Sequence, residues 1–537
     1  MLPFLLENLT IIMNADMIPM YSFGKGGKIM TGALRVQRIL ISSVLLLCML
    51  VLGALAFSHL FETSYLHAGA LPESVMLVRD ALLPNLAMTA GGIALLMALY
   101  RVLAKRRSGY VLAALCAMGA AGSAWFLFGA NTAQIYDFQY VIEAAQLFAR
   151  GNYKSLQVDY FHVYSYQLGF CLPMEILLRL IPSLNINRFM QVMNVVFSFA
   201  SVGLMSVLAA EATGKGQIGR MTAAMSLLFL PLFFFPVFVY GTVPMVFFSL
   251  AAMLCFSRYL RTRRVGYGLL WPALMAIAYV LKPNAAVPMI AIGICAVLDA
   301  LESRDYKILF FAGLSAALSM AAIRLAIMQY EIRGGVKLTE DMSALARLVM
   351  GLKDGGGAAG WYNSYTDKFL PLSVTAEMER EMAMADLREV VKAFAADPGS
   401  LACFLREKLL TQWLEPTNGC LWYGNLNDQH GPLAQLAAPV YGQDSALRRL
   451  LEGYMNVFQQ GLYLLACVGM GKLLREKKNG GSLALALVFI GGVAYHLIFE
   501  AKSSYSYMYV LLLLPLAAQG LYVLEAWLSK AIKKIRK

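Results

Sequence analysis

The chain has 537 residues, of which 59% are hydrophobic and only 14% charged, with a mean hydropathy of +0.62. Soluble domains carry about a quarter charged residues, so an ordinary soluble enzyme is excluded, and the long unbroken apolar runs exclude an outer-membrane barrel, whose strands alternate. The formal net charge of +13 invites a nucleic acid as partner. The basic residues fall in short clusters at the ends of apolar runs, however, where they mark a cytoplasmic membrane face and not a nucleic-acid footprint.

In chain order, residues 1–38 hold a short apolar start and the KGGK run, with no cleavage-site pattern behind a signal core. They read as a cytoplasmic arm, with the first apolar helix retained as a span. A span needs roughly 20 mostly apolar residues. That pattern recurs at 39–59 and 81–100, two N-terminal spans within 39–108. It continues at 109–128, 189–210, 220–238, 243–260, 267–281, 284–299 and 307–328, a core over 109–328. It returns at 455–474, 482–499 and 505–527, before a basic tail, so that 455–537 closes the chain. The expected fold is an all-α polytopic membrane protein with about 12 transmembrane helices.

Two long segments interrupt the spans. The first, 129–188, is polar and rich in tyrosine, with Asp137, Glu143, Asp159 and His162 among Tyr136, Tyr140, Tyr153, Tyr160, Tyr164 and Tyr166. Its end, 167–182, is apolar but carries Glu175 and Arg179. It reads as a helix in the membrane interface, because counting it as a span would invert every later loop. The second segment, 329–454, contains the flexible DGGGAAG turn (354–360), a strong helical pattern over 376–397, a Pro398–Gly399 break, and an amphipathic helix over 401–416 that could lie on the membrane.

The basic clusters fix an orientation. Lys25, Lys28, Arg35 and Arg38 precede the first span. Arg101, Lys105, Arg106 and Arg107 follow the second, and Arg258, Arg261, Arg263 and Arg264 follow the sixth. Lys472, Arg475, Lys477 and Lys478 follow the tenth, and Lys530, Lys533, Lys534, Arg536 and Lys537 end the chain. All fall on one side, which makes both termini cytoplasmic and both long segments external. Arg324, near the outer end of its span, is expected to face the protein interior, since a charge in lipid is costly. Cys48, Cys116, Cys255, Cys295 and Cys467 lie in apolar runs as small core residues. Cys403 and Cys420 could pair if external.

The chemistry-bearing residues gather on the external side. Asp137 stands just beyond the third span, where desolvation would raise its pKa toward that of a useful general base. The plain alternative is a solvated or helix-capping aspartate, since 138–150 looks helical. Asp137, Asp159 and His162 would make a minimal site for a divalent cation, although no spacing requires one. Lys282, in the Lys282-Pro283-Asn284 turn, is either a snorkelling lysine or an outward-facing anion site. In the EAKSSYSY turn (500–507), Glu500 could pair with Lys502 or Lys282, while Lys502 and Tyr505 suit a phosphate. Arg406, Lys408 and Trp413 could add to the same face.

A carboxylate on one loop and lone cations on others suit transfer from a lipid-linked phosphate donor. No Walker, GxGxxG, GxSxG or HExxH motif appears in a convincing setting.

These features resemble the GT-C polytopic glycosyltransferases that use polyprenyl-phosphate-linked sugars, specifically the bacterial family 39 and protein O-mannosyltransferase type. The similarity runs over roughly 109–530. In that family an acidic residue of the first large external loop is the base or acceptor-site carboxylate, and Asp137 holds that place. YFHVYSYQLGF (160–170) is similar to the stretch opening the interfacial helix. The KPN and EAKSSYSY turns are similar to turns that handle the lipid phosphate. GWYNSY (360–365) and KLLTQWLEPT (408–417) are similar to parts of the long external segment. Paired acids are common in the family, whereas Asp137 is flanked by Tyr136 and Phe138, with Glu143 and Asp159 as the next acids. Ser504 stands where a basic residue is common.

The resemblance implies a plasma-membrane glycosyltransferase acting at the outer face on a polyprenyl-phosphate sugar. The acceptor would be a protein, a lipid or a wall polysaccharide, with membrane lipids as surroundings and no nucleic acid. Asp137 would be the base. Lys282, Lys502, Tyr505, Arg406 and Lys408 would hold the donor phosphate. Tyr164, Tyr166, Gln167, Trp361 and Tyr365 would shape the substrate site. The rival functions are a lipid-linked sugar transporter or flippase, a non-catalytic subunit of a wall-polymer machine, and a polymer ligase using a lipid diphosphate. A transporter is expected to show internal repeats and broken mid-membrane helices.

Overall fold

The computed structural model describes the chain apart from residues 1–26, 68–72, 104–107, 131, 133, 158, 339–342, 356, 372–373, 426–433, 443, 477–479 and 536–537. Lys25, Lys105, Arg106, Arg107, Lys477, Lys478, Arg536 and Lys537 therefore lie outside the described residues. The protein is a helical, multi-pass membrane-type bundle. Among the described residues nine helices are long and apolar enough to cross a membrane, or up to eleven if each of two bent pairs is one span.

Helix α1 (Gly27–Ser58) leads into a hairpin of β1 (Glu62–His67) and β2 (Ser74–Arg79). Then come α2 (Leu82–Leu103), α3 (Ser108–Ala130), α4 (Tyr136–Ala149), α5 (Leu168–Leu180), α6 (Ile186–Thr213) and α7 (Gly216–Leu228). The bundle continues with α8 (Thr242–Thr262), α9 (Val265–Leu281), α10 (Ala286–Ser303) and α11 (Lys307–Gly334). The long insertion holds α12 (Ala344–Gly351), α13 (Ala376–Ala396) and α14 (Pro398–Trp413). The chain closes with α15 (Ala446–Glu476), α16 (Gly481–Ile498), α17 (Ser503–Leu512) and α18 (Leu514–Ile535).

Several expectations need revision. The helices bear out the α-helical polytopic fold, and the unforeseen addition is one hairpin, whose antiparallel register runs from Glu62 opposite Arg79 to His67 opposite Ser74. The first helix starts by Gly27, inside the stretch read as an arm. The 220–238 span is broken: α7 and Pro231–Val237 meet at 65°, because Pro231 has no N–H to extend the helical ladder. The last span bends by 47° between α17 and α18. Arg324 does not face inward; its side chain is 63% exposed and reaches Glu331 at 3.3 Å, as a long side chain does at an interface. All eight cysteines are free, with Cys403 exposed and Cys420 buried. Helix α14 also turns its second half into protein, burying Lys408, Leu410, Thr411, Gln412 and Trp413.

The apolar α5 carries a charged core. Glu175 is fully buried and takes Arg179 Nε at 2.8 Å, Arg333 Nη1 at 2.5 Å and the Tyr330 hydroxyl at 2.5 Å. A buried carboxylate is tolerated only when so partnered. The clamp fixes α5 against α11, beneath α4.

The ends of the bundle differ. At one end basic residues pair across helices. Arg258 and Arg261 meet Glu211, Arg263 meets Asp299 at 2.6 Å, and Arg101 meets Glu525 at 3.1 Å. Helix α9 runs from Arg264 at this end to Lys282 at the other, about 25 Å at 1.5 Å per residue. At that far end lie the N-terminus of α4, the α9–α10 turn and the α16–α17 turn.

Candidate active site

The cap of α4 is Ile135, whose side chain makes no capping bond, and Asp137 sits in the first turn. Asp137 is therefore not the helix cap. Tyr136 before it adopts a left-handed conformation at φ 50°, an uncommon state for a residue with a Cβ that turns the first turn of the helix. The Asp137 carboxyl faces the Tyr240 hydroxyl, 3.5 Å from Oδ2 and at the outer limit of a hydrogen bond. The Tyr240 oxygen in turn accepts Gln167 Nε2.

Tyr240 is held by its neighbours. Phe138 packs edge-on against Phe238, centroids 4.2 Å apart, and against Tyr240 at 4.7 Å. The next residue, Gly241, has φ 76°, and a Cβ there would lie 2.3 Å from the Leu281 carbonyl oxygen. Only glycine permits both the conformation and the approach. This contact brings the start of α8 against the end of α9, where Lys282 follows.

Lys282 is buried. Its Nζ donates to Thr242 Oγ1 at 2.8 Å and lies 4.5 Å over the Tyr240 ring, within cation–π range. Burial, and then the nearby Lys502, push its ammonium down to about 7, against the pull of Asp137 and Glu500. At Asp137 the surroundings act the other way. Enclosure by protein raises the carboxyl above the usual carboxylate range and Asp367 adds to the rise, while Lys502, Tyr240 and Lys282 oppose it. Asp137 is nonetheless an exposed residue, and the water that reaches it limits the rise.

The α16–α17 turn completes the cluster. Ala501 N–H donates to the Gly360 carbonyl at 2.9 Å, and Gln412 Nε2 donates to the Lys502 carbonyl at 3.2 Å. These bonds hang the turn on the long insertion. Gly360, at φ 71°, packs where a Cβ would meet the Lys408 side chain at 2.5 Å. Lys502 Nζ pairs with Glu73 at 2.8 Å, an ion pair that ties the turn to the hairpin. The Tyr505 hydroxyl donates to Glu500 Oε2 at 3.2 Å. Burial raises the Glu500 carboxyl, opposed first by Lys502.

Asp137, Lys282, Lys502 and Tyr505 thus share one end of the bundle and are electrostatically coupled. Gln167 joins them through Tyr240. Tyr164 and Tyr166 lie alongside, with Tyr160 and Tyr164 5.1 Å apart and Tyr164 and Tyr166 6.3 Å apart. Both Tyr164 and Tyr240 feel the Asp137 charge.

Other candidates are engaged elsewhere. Arg406 pairs with Glu62 at 2.6 Å. Lys408 donates to the Gly351 carbonyl inside the insertion, where burial pushes it down to about 7. Trp361 is buried and donates to Thr411 Oγ1 at 3.1 Å. Tyr365 donates to Asp386 at 2.7 Å. Glu143 is exposed, accepting from Gln139 at 2.7 Å. His162 lies half-buried on the short helix Asp159–Val163, and the side chain of Asp159 lies outside the described residues. No group of three or more His, Cys, Asp and Glu among the described residues could hold a metal ion.

Sequence reasoning missed Tyr240, Thr242 and Glu73. Tyr240 and Thr242 carried a faint signal as polar residues flanking a glycine between two apolar runs. Glu73 carried none, because nothing local ties it to Lys502. No family model matches the chain, and no curated protein is significantly similar to it.

Proposed function

We propose that the protein is a membrane glycosyltransferase of GT-C type, with about 12 spans, cytoplasmic termini and its site on the outer face. It moves a sugar from a polyprenyl phosphate to an acceptor hydroxyl. The observation that carries this reading is the meeting of Asp137 with Lys282 and Lys502 at the end of the bundle opposite the paired arginines. A carboxylate with a raised pKa is suited to accept a proton. Two ammonium groups beside it are suited to a departing phosphate.

In the reaction the acceptor oxygen attacks the anomeric carbon while its proton passes to Asp137. The bond from that carbon to the phosphate oxygen breaks with its electron pair. The polyprenyl phosphate leaves with one more negative charge, opposite Lys282 and Lys502. Attack in line with the leaving group inverts the anomeric centre. The tyrosines beside Asp137 offer flat apolar faces and hydroxyls for a sugar ring.

The test is mass spectrometry of the cell envelope from a strain lacking the gene, complemented with wild type or Asp137→Asn. A sugar restored by wild type alone supports the reading. Full restoration by the variant refutes it, and would favour a transporter or a structural subunit.

A further inference from the structure

The hairpin between α1 and α2 has no part in the proposed transfer, yet it reaches the site. Glu73, the residue before β2, is 93% buried by side chain and lies 2.8 Å from Lys502 Nζ, whose own side chain is 21% exposed. This is not a loose surface pair.

The hairpin is fastened on several sides. Ser64 N–H donates to the Leu414 carbonyl at 3.2 Å and Ser64 Oγ to the Thr411 carbonyl at 2.7 Å. Glu62 takes Arg406 at 2.6 Å. On the other side Gly357 packs so closely that a Cβ would lie 2.8 Å from Ser74 Cα and 3.2 Å from the Glu73 carbonyl oxygen. Glu73 is therefore delivered to Lys502 by the fold.

Its effect on an anion follows from charge. The Lys502 charge acts on Asp137, Glu500 and Lys282, and on the transferase reading its ammonium is one of the two that meet the donor phosphate. A carboxylate already on that ammonium neutralises it and repels a second anion. Glu73 also acts on Glu500, raising its carboxyl, which places three carboxylates around two lysines.

Resting on the transferase reading, we propose that Glu73 is the resident counter-anion of Lys502, which a ligand phosphate displaces, so that the hairpin sets how tightly phosphate-bearing lipids are held. Glu73 is a specificity-determining residue in this scheme and takes no part in bond making. It lowers affinity for the phosphate, which favours release of the spent polyprenyl phosphate.

The experiment uses the full chain in detergent, with farnesyl phosphate as probe and farnesol as its phosphate-free control, and measures affinity by calorimetry. Glu73→Gln keeps the shape and a hydrogen bond to Lys502 but not the charge. It is expected to bind farnesyl phosphate about fivefold or more tighter, with farnesol unchanged. Glu73→Asp, which keeps the charge but withdraws it by one methylene, is expected to fall between the two and serves if the first variant folds poorly. Lys502→Met is expected to weaken farnesyl phosphate binding and to cancel the gain from Glu73→Gln in the double variant. Unchanged or weaker binding in both Glu73 variants, with Lys502→Met still damaging, overturns the inference and leaves the donor reading standing. If wild type does not distinguish farnesyl phosphate from farnesol, the donor reading fails and the inference falls with it.

Discussion

The Tyr240 hydroxyl stands between Gln167 and Asp137, accepting from the first and facing the second at 3.5 Å. Tyr240, just before α8, and Gln167, just before α5, thereby orient one carboxyl on α4. Replacing Tyr240 by Phe removes a group that holds the Asp137 pKa down. The carboxyl should then stay protonated to higher pH, so the acid limb of the kcat/KM profile should move upward. Activity below that limb should fall about tenfold per pH unit, and a pH–rate profile of the variant measures the shift.

Asp137→Asn should lower transfer by about 10²–10⁴-fold if general-base catalysis is its role. The variant should keep its melting temperature, because Asp137 neither caps α4 nor fills a core. Turnover and a thermal melt on the same preparation check both halves.

Lys282, its ammonium pushed down to about 7 by burial, makes anion binding dependent on pH. Below pH 7 it is charged and ready for a phosphate. Above it the neutral amine must take up a proton on binding, so affinity for farnesyl phosphate should weaken as pH rises from 6 to 8, in line with a single-proton linkage of about tenfold per unit well above the pKa. Calorimetry in buffers of different ionisation enthalpy should show proton uptake at pH 8. Lys282→Met should bind weakly and lose that uptake.

Glu175→Ala should destabilise the bundle by about 2–3 kcal/mol, less than for a wholly dry pair because water reaches Arg179 and Arg333. Removing the carboxylate leaves two guanidiniums and the Tyr330 hydroxyl facing one another. A shift of the thermal midpoint, read by intrinsic fluorescence in detergent, checks it.

Gly241→Ala should disturb the site more than its size suggests. The added methyl meets the Leu281 carbonyl in a backbone conformation that disfavours it. The α9–α10 turn must move and Lys282 with it. The expected outcome is a loss of farnesyl phosphate affinity comparable to that of Lys282→Met, with a smaller effect on farnesol.

The helices were legible because lipid demands long apolar runs, and the runs have clear ends. The breaks at Pro231 and Leu513 were not, since hydropathy averages over a bend. Asp137, Lys282 and Lys502 stood out as charges where charge is scarce, a signal that needs no tertiary knowledge. Arg406 and Lys408 carry the same kind of charge but pair with the hairpin or within the insertion, as the neutral Trp361 and Tyr365 bond within it, and only coordinates tell the two groups apart. Arg324 misled because the cost of charge in lipid was applied without allowing the side chain to reach past the membrane edge. Glu73 stayed invisible because its partner lies ~430 residues away.

That separation bears on how the protein is made. Chains grow from the N-terminus at about 5–20 residues per second, so Glu73 and Asp137 enter the membrane well before Lys502 exists. A nascent or prematurely ended chain carries Glu73 without the Lys502 that pairs with it, and the turn that Gly360 and Gln412 fasten has not been synthesised. On the transferase reading competence arrives late, with the last two helices, because a half-finished copy holds Lys282 without Lys502.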